Sequence, residues 1–152
     1  MRKNIHARVK HLVQKYETRD PIKLAKHLNI HVIYKQYSPH TKGYYIKILN
    51  NKFIVVNSTL DEYSQRILLA HELGHAVLHS SEPICFIREY TLFPIGIYER
   101  EANKFAADLL IDNDVIKEMI LEPICYIANV LQVNEELVEY KINKFKNSEN
   151  SE

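Results

Sequence analysis

The stretch Ile67-Leu68-Leu69-Ala70-His71-Glu72-Leu73-Gly74-His75-Ala76-Val77-Leu78 constrains the fold more than any other part of the chain. Apolar residues fall at every angle around a helix drawn through it, which leaves no face for water and marks a buried helix. Yet the same helix carries two histidines and a glutamate, groups that are costly to bury without compensation. The histidines stand four apart, so both imidazoles leave the helix from one side. That spacing lets them reach one tetrahedral zinc, with room for a third protein ligand and a water. Glu72 lies about 100° round the helix from His71, on the side next to His75. It can sit beside the metal without binding it, as the general base that takes a proton from water there. The competing reading is a core helix whose histidines are merely hydrogen-bonded.

Periodicity alone leaves the third ligand open. His79 is one turn further along the same face, but it drifts away from a metal centred between the first two histidines, and a polar residue at a helix C-terminus is its simpler reading. Leu78 and Ser81 stand where the metzincin pattern needs Gly and His. Cys85 lies in the following loop and stays in contention. Glu99 and Glu101 open the next helix in Tyr98-Glu99-Arg100-Glu101-Ala102-Asn103-Lys104-Phe105-Ala106-Ala107-Asp108. Two residues apart, they project to nearly opposite faces, so only one can serve. Ala102, Ala106 and Ala107 are small enough to let this helix lie close against the first.

The rest of the chain reads as a single α+β domain, with three short strands packed against helices that include the His71 helix. At 152 residues the chain can bury a real core. Ile5, Val9, Leu12, Val13 and Tyr16 recur at helical spacing over 3–17. Asp20-Pro21 opens a helix that Asn29 ends. Ile30 to Tyr34, Tyr44 to Leu49 and Phe53 to Val56 read as strands, and Asn50-Asn51 supplies the positive φ of a hairpin turn. A helix then runs from Ser58 or Asp61 to about His79. Residues 80–98, with Pro83, Pro94 and Gly96, form a long loop, and helices follow near 98–110, 113–121 and 123–145. The domain spans 1–146, and 147–152 is a polar tail.

Two cysteines are too few for a disulfide framework, no apolar run approaches a membrane span, and the basic N-terminus lacks the apolar core of a secretory signal. A cytoplasmic protein with free thiols is expected. The formal net charge of +1 gives no general field towards nucleic acid or anionic membrane.

With these motifs in hand, the sequence resembles the ImmA/IrrE family of metallo-endopeptidases. The family's pattern is an apolar helix with H-E-x-G-H, a loop, then a helix reading roughly E-A-N-x-F-A-x-x-L-L. Here those are His71-Glu72-Leu73-Gly74-His75 and Glu101-Ala102-Asn103-Lys104-Phe105-Ala106-Ala107-Asp108-Leu109-Leu110. The Thr91-Leu92-Phe93 stretch is also similar to phage and mobile-element members. The order of elements matches over roughly 30–145, and the specific agreement lies in the two motifs. Where family members often carry Pro soon after the Leu-Leu pair, this chain continues Ile111-Asp112-Asn113-Asp114. The resemblance implies a gluzincin-type zinc site of His71, His75 and Glu101, with Glu72 as base and Glu99 as a solvated carboxylate. It also implies a protein substrate, a helix-turn-helix repressor of the Xre type, whose inactivation releases mobile-element or stress genes.

Two further readings compete. One keeps the zinc and drops the cleavage, leaving a regulator that binds a repressor without cutting it. An intact Glu72 argues against it, because a structural zinc usually takes four protein ligands and needs no base. The other is DNA binding, since residues 127–138 have helix-turn-helix spacing. Its second helix, however, would present Glu135, Glu136 and Glu139 to phosphates, with only Lys141 and Lys144 beyond. Direct nucleic-acid binding is therefore not expected. The ten tyrosines could include an oxyanion donor, but packing is the simpler role for each.

Overall fold

The computed structural model describes residues 4–80 and 96–151. Among them are seven helices and a three-stranded sheet, the α+β fold expected. Helix α1 (Ile5–Tyr16) starts where the Asn4 side chain accepts from the Ala7 N–H, and α2 (Pro21–His27) starts at Asp20, whose carboxylate accepts from Ile22 N–H. Asn29 takes a left-handed φ of 58° and turns the chain into β1 (Ile30–Lys35). Strands β2 (Gly43–Ile48) and β3 (Asn51–Asn57) follow. Among the described residues the order is β1-β3-β2, with β1 parallel and β2 antiparallel to β3.

The hairpin turn lies one residue earlier than expected. Ile48 pairs with Asn51, and the positive φ of 56° belongs to Leu49 rather than to Asn50 or Asn51. In this register buried Tyr45 stands opposite buried Ile54.

Asn57 ends β3 fully buried and grips the segment between β1 and β2. Its Nδ2 donates to the carbonyls of Thr41 (2.7 Å) and Ser38 (3.0 Å), while its Oδ1 accepts from the N–H groups of Thr59 (3.0 Å) and Tyr37 (3.3 Å) and from the Thr59 hydroxyl (2.7 Å).

Helix α3 (Glu62–Leu78) carries the buried motif and is capped by Asp61, whose carboxylate accepts from Ser64 N–H at 2.6 Å. It packs most extensively on α4 (Ile97–Leu110). Gly74 makes that approach possible. A Cβ there would sit 3.0 Å from Ala102 Cα and 3.1 Å from both Ala102 O and Phe105 Cβ. Helix α4 ends at Leu110 without a proline, since Asp112 caps the next helix, α5 (Asn113–Met119), by accepting from Asp114 N–H.

The last helix expected is two helices, α6 (Ile124–Leu131) and α7 (Glu135–Glu149). Gln132 breaks them with a φ of 55°, which buries Val133 between them. Asn147 to Glu149 belong to α7, so the polar end of the chain is helical up to there. Leu137, Val138, Lys141 and Ile142 of α7 face the core. Lys141 is spent on Asp108 at 3.0 Å, and Lys144 lies 3.4 Å from the same carboxylate. Lys141 and Lys144, the cations weighed for a recognition helix, thus both face Asp108. No helix of the described residues is long and apolar enough to cross a membrane.

Candidate metal centre

Helix α3 presents His71 and His75 one turn apart, with ring centroids 4.9 Å from each other. Their partner comes from the first turn of α4. The Glu99 carboxylate spans the pair, with Oε1 2.8 Å from His75 Nε2 and Oε2 3.0 Å from His71 Nε2. One ligand atom from each of the three residues lies within 4.8 Å of the others. Two imidazole nitrogens and a carboxylate converging on one point suit zinc, whose ligand bonds are about 2.0–2.2 Å. His75 is fully buried, and the side chains of His71 and Glu99 are 12% and 27% exposed, so the group opens to solvent on one side only. Glu72 is buried on α3 beside the pair.

The structure brings Glu99, and not Glu101, to the two imidazoles. Helical geometry decides it: with Glu99 turned towards His71 and His75, a residue two positions on points elsewhere. Glu101 instead reaches His79, its Oε1 3.5 Å from His79 Nε2. His79 is the C-cap of α3 and is buried, its Nδ1 3.2 Å from His75 Nδ1. Asn103 lies one turn along α4 from Glu99, and its Oδ1 is 2.8 Å from His71 Nδ1. A signal for Glu99 was present in the sequence, because Glu99 and Asn103 are four apart and share a face. Cys85, Thr91-Leu92-Phe93 and the body of the 80–98 loop lie outside the described residues.

The centre opens into a cleft of about 650 Å³ lined by His71, Glu99 and Asn103 on one side. Gly43 and Tyr44 of strand β2, and His40, Thr41 and Lys42 just before it, supply another wall. Tyr63 and Ser64 of α3 and Glu136 of α7 complete the rim. Burial, with Asp61 adding to it, pushes the Tyr63 phenol above its ordinary range. Tyr45, on the buried face of β2, donates its hydroxyl to Ser80 O at 3.3 Å, tying the sheet to the end of α3.

A buried helix bearing a two-histidine, one-carboxylate cluster beside a strand-lined cleft defines a metallopeptidase-type class of site. The chain belongs to the Peptidase_M78 family, described as the IrrE N-terminal-like domain, whose model matches residues 25–143. It is similar to "Uncharacterized immunity region protein 2" of Bacillus phage phi105, with 40% identity over 114 residues, 75% of this chain and 72% of that protein. Among solved structures it resembles a Mycobacterium tuberculosis transcriptional regulator with a TM-score of 0.61 and 16% identity. That likeness, a matter of fold alone, covers 90% of this chain and 46% of the regulator, so the chain spans under half the regulator's length.

Proposed function

We propose that the protein is a zinc-dependent endopeptidase of the gluzincin type, with His71, His75 and Glu99 as metal ligands and Glu72 as general base. The observation that carries this reading is the convergence of three ligand atoms, beside a buried glutamate, next to a cleft that His71 and Glu99 line. When bound, zinc acts as a Lewis acid towards water and the scissile carbonyl. Glu72 accepts the proton that water gives up as it attacks, and passes it to the leaving amine. Strand β2, which lines the cleft, offers main chain beside which an extended substrate can lie, and main-chain recognition makes little demand on sequence. Selectivity then rests on the cleft walls and on the 80–98 connection between the ligand helices.

The substrate is a helix-turn-helix repressor of the Xre type, whose cleavage releases the genes it silences. Membership in a metallopeptidase family and likeness to a phage immunity-region protein support a target of that kind. The test incubates the zinc-loaded protein with the repressor encoded beside it, using Glu72→Gln as control. One new fragment pair is expected, and the control should keep its zinc while the rate falls about 10²–10⁴-fold or more. Binding without cleavage at full zinc loading would identify a non-proteolytic regulator instead.

A further inference from the structure

Two residues of the Glu101-Ala102-Asn103 motif remain without a role once Glu99 is the ligand. We propose that Glu101 and Asn103 are the positioning residues of the metal centre, each fixing the proton on the outer nitrogen of one histidine ligand. The inference rests on the metal-site reading above and assigns what holds that site in register.

The Nε2 atoms of His71 and His75 are the ones turned to Glu99. To offer a lone pair there, each ring must carry its proton on Nδ1, and an Nδ1–H in a dry site needs an acceptor. His71 has Asn103 Oδ1 at 2.8 Å. The amide cannot turn over without loss, because its Nδ2 end faces Glu136 Oε1 at 3.5 Å, and a carboxylate only accepts. Helix α7 thereby orients the amide that orients the ligand.

His75 is served by a longer chain. Its Nδ1 meets His79 Nδ1 at 3.2 Å, and only one of the two can carry the hydrogen. With His75 donating, His79 must accept at Nδ1 and hold its own proton on Nε2. That nitrogen is buried 3.5 Å from Glu101 Oε1, an ion-pair distance to a group that only accepts. Proton placement is therefore set from Glu101 inward: the carboxylate charge favours a proton on His79 Nε2, which leaves His79 Nδ1 to accept from His75, whose lone pair then turns to the metal. The His79 ring is itself held, by the Tyr98 ring at 4.8 Å and by its backbone N–H donating to His75 O at 2.8 Å. Between the two positioning residues, Ala102 makes the close contact with Gly74. The three members of the motif thus divide the work. Ala102 spaces the helices, while Glu101 and Asn103 aim one ligand each.

The test reads zinc affinity by chelator competition, and the ring-nitrogen ¹⁵N shifts of the zinc-loaded protein. Outer partners of metal ligands typically contribute about 10–100-fold in affinity. Glu101→Ala and Asn103→Ala should each still bind one zinc, weakened by about that factor. Glu101→Gln, which keeps an acceptor oxygen, should recover most of the loss. In the unsubstituted protein, His79 should show the Nε2–H tautomer, which Glu101→Ala should scramble. An Nδ1–H tautomer at His79, or unchanged affinity in Glu101→Ala, would overturn the proposal. So would loss of stoichiometric zinc in Glu101→Ala alongside retention in Glu99→Ala, which would make Glu101 a ligand. An unsubstituted protein that takes up no zinc would sink the metal reading itself, and this inference with it.

Discussion

The two ends of helix α4 each turn a carboxylate inward, and they meet opposite kinds of partner. At the N-terminal end, Glu99 faces two imidazoles. At the C-terminal end, Asp108 faces Lys141 at 3.0 Å, Lys144 at 3.4 Å and His6 at 3.6 Å, and Lys141 also donates to Asn113. The two ammoniums at Asp108 have only protons to give, and they are the nearest partners that carboxylate has there. Imidazoles keep a lone pair in their neutral form, so the Glu99 cluster still has electron pairs to offer a cation. The buried Asp108 is held by two ammoniums, whereas the partly exposed Glu99 faces two imidazoles with lone pairs to offer. One helix holds both.

Exchanging the damage tests that division. Glu99→Ala should abolish stoichiometric zinc, about one per chain in the parent, while changing the urea-unfolding free energy of the metal-free protein by no more than about 1 kcal/mol. Asp108→Ala should do the reverse. It leaves the buried Lys141 ammonium without its counter-charge, and loss of one partner of such a pair costs about 3–5 kcal/mol. Zinc bound per folded molecule should stay near one. Zinc loss from folded Asp108→Ala would mean that the two ends are not separate.

A smaller effect is expected where the two helices touch. Gly74→Ala gains up to about 1 kcal/mol of helix propensity. Its new methyl presses on Ala102 backbone and on the fully buried Phe105, and neither can swing away. Overpacking of that kind costs about 1–3 kcal/mol. Net destabilisation of about 1 kcal/mol is expected, together with weaker zinc binding, because the helix spacing sets where Glu99 stands. Unchanged affinity in calorimetry would break that link.

The smallest effect belongs to His6, which faces Asp108, Lys141 and Lys144. Burial, then the nearby Lys144 charge, holds its pKa below the ordinary 6.5, and Asp108 only partly opposes them. The unfolded chain therefore takes up this proton more readily than the folded one, and stability falls as pH drops through and below about 6.5. His6→Gln should remove that slope, so its melting temperature should gain on the parent's from pH 7.5 to pH 5. Parallel curves would show that the Asp108 cluster carries no such penalty.

Much of this was legible from residue spacing. His71 and His75 declared themselves by standing four apart on a helix with no polar face, and the cap Asp20 by its chemistry, whereas the cap of α3 was open between Ser58 and Asp61 until the structure gave Asp61. Which glutamate faces the two histidines was not legible in the same way. Glu99 and Glu101 look alike in one dimension because each has a histidine to meet, Glu99 the pair at His71 and His75, Glu101 the single ring of His79. The E-A-N motif drew attention to Glu101, and setting His79 aside as a helix end removed the partner that explains it. The break at Gln132 was hidden for another reason. A left-handed glutamine has no sequence signature, and burial of Val133 selects it only once α6 and α7 have closed.

Asn57 has a consequence for how this protein can change over generations. Every bond it makes to the 36–42 segment is to main chain: the carbonyls of Ser38 and Thr41 and the N–H of Tyr37. Much of the segment's path is therefore specified by Asn57, with the Tyr37 side chain adding a contact to Tyr44. His40, Thr41 and Lys42, which line the cleft, can be replaced without loss of the backbone course that presents them. Mutation can explore new cleft surfaces here while the fold stays put, as a lineage requires when it must keep pace with a drifting target.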